Sequence, residues 1–206
     1  MNFSEQMRNL ETQEEGTYVI QQGHGKTPVI LTAAHTIQQH KYSGKIKVAE
    51  PFTKAIAKYV GKKTDSWYFV KTKDTGVDPN CKNHDEFKTV LIDLIRTHHI
   101  KLLIDIHGSS RSRDYDVEIG TLDGRTINQQ TLDHLTEILQ HNGIKNIAYN
   151  CPFKGGDITK TIFQETQIDV IQLEINCNFL DLRQVNNLRK VCKALTEFIK
   201  NYRKTK

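Results

Sequence analysis

The sequence is poor in cysteine and has no long apolar run. Its four cysteines, Cys81, Cys151, Cys177 and Cys192, form no CxxC or CxC pair, which excludes a cysteine metal knuckle. A reducing compartment keeps them as thiols, and each is assigned a buried role. No stretch approaches the ~18 uninterrupted apolar residues of a membrane span. The N-terminal MNFSEQMRNLETQEEG has no basic start followed by an apolar run, so it is not read as a secretory signal, and a cytoplasmic location is expected. Internal repeats, low-complexity tracts and linkers are also missing. One domain spanning residues 1–206 is therefore expected, with residues 1–15 as an N-terminal extension without fixed structure.

What is present is ordinary for a soluble enzyme-sized domain. Over 206 residues, 37% are hydrophobic and 26% charged, too apolar a balance for a disordered chain. Twenty-nine Lys and Arg against 24 Asp and Glu give a net charge of +5. The basic residues are scattered, which argues against nucleic acid as a partner. The densest group, Lys200, Arg203, Lys204 and Lys206, suits the cationic end of a last helix. A net positive field favours a small anionic substrate. Oligomeric state is not encoded in any pattern here.

Apolar runs of strand length alternate with amphipathic segments of helix length. Strands are expected over 17–22 and 28–34, separated by the glycine-rich turn Gly23-His24-Gly25-Lys26. A helix follows over about 51–60 with Pro51 in its first turn, then a strand over 66–71. Phe87, Val90, Leu91, Leu94 and Ile95 recur at helical spacing, which predicts a helix over 85–98. The run KLLIDI over 101–106 suits a buried central strand. A strand over 116–121, a helix over 129–141, strands over 146–149 and 169–175, and a last helix over about 182–202 complete the pattern. Such alternation implies an α/β class, a single-domain three-layer sandwich whose mixed, mostly parallel sheet carries helices on both faces. Ligands of such sheets sit outside the carboxyl ends of the strands.

The residues at those ends carry chemistry. One strand ends in Ala34-His35-Thr36, another in His107-Gly108-Ser109, and a third holds Gln172-Leu173-Glu174-Ile175-Asn176. Neutral imidazoles are good zinc ligands, and two or three such groups leave an open position for catalysis. A carboxylate beside that position can serve as general base. Glu174 is the sharpest feature, because an acid flanked by Leu173 and Ile175 needs either function or solvent to justify it. The Gly155-Gly156 pair suits a loop whose backbone approaches a ligand, or a plain turn. His24 and His40 are the remaining histidines that could serve as unexpected ligands.

The stretches PVILTAAH (28–35), Asp78-Pro-Asn80, Asp105-Ile-His107-Gly108, Gly120-Thr121, PFKGG (152–156) and QLEIN (172–176) resemble, in order, the N-formylglutamate amidohydrolase family. That family is a distant relative of the zinc carboxypeptidases. The resemblance implies a zinc carboxypeptidase-like, phosphorylase/hydrolase-like core and a Zn2+ cofactor. It also implies His35 and His107 as metal ligands and Glu174 as the base that activates the zinc-bound water. The relatives' second ligand, a glutamate three residues after the first histidine, is here Gln38; Glu50 is the candidate replacement, with a helix N-terminal charge as its alternative role. Where the family follows Asn with Arg, this chain has Asn80-Cys81-Lys82. Lys82, Arg111 or Arg113 is then expected to hold a substrate carboxylate, with Arg111 also stabilising an oxyanion, and Asn80, Gly155 and Gly156 to contact substrate.

These readings point to a zinc-dependent hydrolase of an amide bond in a small carboxylate-bearing molecule such as an N-acyl amino acid. Two alternatives stand beside it: a binding or regulatory protein that keeps the fold without the chemistry, and a metallopeptidase or cell-wall amidase.

Overall fold

A computed structural model describes residues 1–12, 16, 18–21, 27–41, 43–81 and 85–205. In chain order its elements are α1 (Phe3–Glu11), β1 (Tyr18–Gln21), β2 (Val29–Ala33), β3 (Gln39–His40), β4 (Ile46–Lys47), α2 (Thr53–Thr64), β5 (Trp67–Lys71) and α3 (Glu86–Thr97). There follow β6 (Leu102–Ser109), β7 (Val117–Gly120), α4 (Gln129–His141), β8 (Ile147–Tyr149), α5 (Asp157–Thr166), β9 (Asp169–Asn176) and α6 (Val185–Thr205). The turn over 23–26, with His24, lies outside the described residues, as do Lys82, His84 and Lys206.

Seven strands form one sheet in the order β1-β5-β2-β6-β9-β7-β8, and β3 pairs with β4 in a separate hairpin. Strands β5, β2, β6 and β9 run parallel at its centre; β1 and β7 join them antiparallel. Two apolar clusters flank the sheet. The larger packs Leu31, Ile104, Ile106, Leu173 and Ile175 against Ile56 of α2, Leu135 of α4 and Leu195 of α6. The smaller packs Ile30, Phe69, Leu103 and Val170 against Phe87 and Leu91 of α3 and Ile158 and Ile162 of α5. This is the mixed, mostly parallel three-layer α/β sandwich read from the alternation of elements.

Three expectations are corrected. Residues 3–11 are not an unstructured extension but a helix with an Asn2–Glu5 capping box that buries Met7 and Leu10 in the larger core. Pro51 lies outside α2, because Phe52 takes a left-handed conformation at φ 61° and the helix starts at Thr53. The helix also runs past Val60 to Thr64, through Gly61. A Cβ on Gly61 would stand 2.8 Å from the Tyr68 ring, so that glycine serves close helix–strand packing rather than termination. The hairpin β3–β4 and the helix α5 were not expected: two-residue strands carry no readable period, and α5 buries only Ile158, Thr159 and Ile162.

No side chain of α2 caps its own N-terminus. Glu11, from the end of α1, does so instead: its carboxylate accepts from Phe52 N–H at 2.9 Å and Ala55 N–H at 3.0 Å. Charge-assisted bonds to orphan helix amides are worth about 1–2 kcal/mol. Glu11→Ala is therefore expected to lower the unfolding free energy by about 1–2 kcal/mol, read as a shift of the urea midpoint, with Glu11→Gln intermediate. An unchanged midpoint would show that α1 does not secure α2.

Candidate metal centre

Period-two alternation divides the two central strands by chemistry. On β6, Ile104 and Ile106 enter the larger core, so Asp105, His107 and Ser109 face the α3/α5 side. On β9, Leu173 and Ile175 do the same, and Gln172, Glu174 and Asn176 face the opposite way. Register sets Asp105 beside Gln172, His107 beside Glu174 and Ser109 beside Asn176. All six are buried. The result is a polar row at the carboxyl ends of the strands, beyond the smaller apolar cluster.

His35 reaches this row from just past β2, and Glu50 from the segment between β4 and α2. His35 Nδ1 lies 2.9 Å from Glu50 Oε1, and His107 Nδ1 lies 3.2 Å from Glu50 Oε2. The two Nδ1 atoms are 3.1 Å apart. Each imidazole is fixed from behind. His35 Nε2 meets Asp78 Oδ1 at 2.7 Å, and His107 Nε2 meets Asp105 Oδ2 at 3.0 Å. Ionised carboxylates only accept, so both Nε2 atoms are donors and both Nδ1 atoms turn toward Glu50. His35, Glu50 and His107 are the group among the described residues that could hold a metal ion.

Burial and charge set opposite protonation in this cluster. Burial alone would raise the Glu50 carboxyl, but His107 and His35 hold it well below the usual range. Burial opposes a charge on His107, yet Asp105 and Glu50 push its pKa well above 6.5. Burial raises Glu174 to about 7, helped by the charge of Glu50 and opposed by His107, Lys47 and His35. Two glutamates in one pocket thus titrate far apart.

His35, Glu50, His107 and Glu174 line one open cavity of about 650 Å³, together with Asn80, Arg113, Gly155 and Gly156. Two expectations do not fit this cavity. Arg111 is not in its wall: its guanidinium is spent on Asn178 Oδ1 at 3.0 Å and Asp181 Oδ2 at 2.6 Å. Gln38 is exposed and outside the three-residue group. His40 is likewise exposed, paired with Asp74. Glu50 does not charge the helix N-terminus, a place that Glu11 fills. Arg113 stacks its guanidinium 5.2 Å from the Phe153 ring, while Asn176 Nδ2 holds its carbonyl at 3.2 Å.

Asp78 and Asp105 stand in the quoted motifs without an assigned role, and Lys47 was not expected at all. Asp105 was detectable, two residues before His107 on the same strand face. Lys47, whose Nζ lies 2.6 Å from Glu50 Oε1, sits on a two-residue strand that nothing in the sequence announces.

The fold is that of α/β proteins built like known amidohydrolases and amidases. More particularly, residues 83–180 match the family model of N-formylglutamate amidohydrolase. That stretch holds His107 and Glu174 but neither His35 nor Glu50, which the fold supplies. The match supports a hydrolase of an amide bond. Similar solved structures include N-formylglutamate amidohydrolase from Ralstonia eutropha JMP134, at TM-score 0.64 and 13% identity, covering 93% of this chain and 98% of that one. A bacteriophage poly-gamma-glutamate hydrolase has TM-score 0.64 and 15% identity, covering 97% and 96%. The CwlD amidase of Clostridioides difficile has TM-score 0.50 and 13% identity, covering 86% and 99%. No curated protein matches the chain. Among the described residues no helix is long and apolar enough to cross a membrane.

The raised pKa of His107 has a stability consequence in metal-free protein. A group that binds its proton more tightly when folded stabilises fully below its unfolded pKa, about 6.5 for histidine. That contribution is lost as pH rises through the folded value. Asp105→Asn removes a carboxylate that holds the proton. The stability gap between parent and variant in urea is therefore expected to be widest below about pH 6, under the unfolded histidine value, and to narrow as pH rises through the raised folded value. A gap that is constant or widens with pH would contradict this pairing.

Proposed function

We propose that the protein is a zinc-dependent amidohydrolase cleaving a C–N bond in a small carboxylate-bearing substrate such as an N-acyl amino acid. The observation that carries this reading is the placement of Glu174, buried and near neutrality in its titration, beside the His35–Glu50–His107 group. The donor set fits a divalent cation. Zinc bound at ~2.0–2.1 Å in tetrahedral geometry holds its ligands ~3.3 Å apart; the two Nδ1 atoms here are 3.1 Å apart, and one donor atom from each of the three residues lies within 4.8 Å of the others. Carboxylates behind both imidazoles are the supporting partners that metal-binding histidines usually keep. His35, His107 and Glu50 would hold the ion, which supplies Lewis-acid activation of water and of the scissile carbonyl.

The chain's own groups do the rest. Glu174 takes the proton of the attacking water and delivers it to the leaving nitrogen, a task suited to a carboxyl near neutrality. Arg113, on the Phe153 ring and lining the cavity, receives the substrate carboxylate. Asn80 and the Gly155-Gly156 pair line the same cavity. The names of two of the similar structures carry a glutamate-derived amide, which favours an acidic substrate. Lys41 and Lys47 in the same cavity favour it too.

One observation supports a second reading as a metal-free binding protein. Lys47 already neutralises Glu50 at 2.6 Å. Metal content decides between the two: near one equivalent of zinc, lost in His35→Ala and His107→Ala, supports the enzyme, and metal-free protein supports the binder.

Against a panel of N-acyl amino acids and small acidic peptides, Glu174→Gln is expected to keep its zinc and lose turnover by about 10²–10⁴-fold. Retained turnover would remove Glu174 as the base. Arg113→Ala is expected to raise KM by roughly tenfold or more, as loss of a charged hydrogen-bond donor does, with a smaller effect on kcat. A KM unchanged in that variant would place the substrate carboxylate elsewhere.

A further inference from the structure

Gln172 is 2% exposed and lies two residues before Glu174 on the same face of β9. Its Nε2 donates to Glu174 Oε1 at 2.9 Å. Its own Oε1 accepts from the Gly156 N–H at 2.6 Å. A backbone N–H can only donate, so the amide has one orientation and cannot present its oxygen to Glu174. The Gly156 end is fixed in turn. Asn80 Oδ1 accepts from Ile158 N–H at 3.2 Å, and Asn80 stands so close to Gly156 that no Cβ fits between them. Among the described residues Gln172 is the one donor to the Glu174 carboxylate.

We propose that Gln172 is the positioning residue for Glu174: anchored by the glycine loop, it occupies Oε1 and restricts proton transfer to Oε2. This rests on the reading of Glu174 as general base. The proton leaves the attacking water for Oε2 and passes from the same oxygen to the leaving nitrogen, so Glu174 need not rotate between the two transfers. Oε1, already accepting, is a poor second site because a proton there would face the Gln172 N–H. A neutral donor also orients the carboxylate without adding a charge beside the cavity. The glycine pair then acts on the chemistry through a side chain, not through its backbone alone.

Two variants test this. Gln172→Met removes both bonds at similar volume. Gln172→Ala removes both bonds and leaves room for water to meet the Gly156 N–H, so it decides the matter if the first variant fails to fold. Both are expected to lose kcat by roughly ten- to a hundredfold, as displaced catalytic groups do, with KM and zinc content within about twofold. In a Glu174→Gln background, Gln172→Met is expected to cause no further loss, since the two residues act as one unit. The Gln172 side-chain amide should also give a slowly exchanging NH2 pair in NMR spectra whose shifts move in Glu174→Gln. Parent-like kcat in both Gln172 variants, with Glu174→Gln inactive, overturns the positioning role alone. So does a parallel fall in KM, zinc content and kcat, or an amide pair that does not respond to Glu174→Gln. Retained turnover in Glu174→Gln overturns the base and this role together.

Discussion

The Glu50 carboxylate, buried between two imidazoles, is the constraint around which the rest is arranged. An ionised acid removed from water is tolerated only when every lone pair is met. Here His35, His107, Lys47 and the Gly108 N–H, at 2.9 Å, meet Glu50. Each partner imposes a condition on the fold. His107 must sit at the carboxyl end of the central strand, and His35 one strand away. Gly108 must lack a side chain, since a Cβ there would lie 3.2 Å from Glu50 Cβ and 2.9 Å from Leu180. The hairpin β3–β4, otherwise too short to stabilise itself, brings Lys47 to the same carboxylate.

Glu50 is free for this because another acid does the work its position suggests. It stands three residues before the first residue of α2, where an acidic side chain would ordinarily meet the helix amides. Glu11 meets them instead, from a helix over forty residues earlier in the chain. The N-terminal helix is thereby tied to the centre: it buries Met7 and Leu10 in the larger core, caps α2, and leaves the Glu50 side chain to turn back over the sheet. Lys54, donating to the Thr12 carbonyl at 2.9 Å, closes the same junction.

The architecture was legible because the central strands are so apolar on one face. Leu31, Ile104, Ile106, Leu173 and Ile175 announce buried strands, and α3 and α4 show clear 3.6-residue spacing. The polar half of each strand was legible too, in Asp105-Ile-His107 and Gln172-Leu-Glu174, where alternation puts the chemistry on one face. The sequence does not give what depends on chain path. Glu50 and Gln38 are both acids or amides soon after His35, and only the hairpin's course shows which returns to the imidazole. Arg111 and Arg113 both follow closely after His107 in sequence, yet Asp181 draws the nearer one away while Asn176 and Phe153 keep the other at the cavity. The α1 helix was missed because its burial relies on surfaces of α2 far along the chain, which its own polar composition does not reveal.

Two glutamates within one cavity, held in opposite protonation regimes, are a recurrent means of dividing catalytic roles by environment. Glu50 has cationic and N–H partners on both oxygens, so the anion is the stable form and a ligand role suits it. Glu174 has a single neutral donor, lies buried between Leu173 and Ile175 in its own strand, and has the negative Glu50 nearby, so the neutral acid is within reach. Neither environment would serve the other role: a base held far below neutrality returns no proton to a leaving nitrogen, and a ligand that keeps its proton binds no cation. What separates them is not residue type but which strand face, and which neighbours, the fold gives to each.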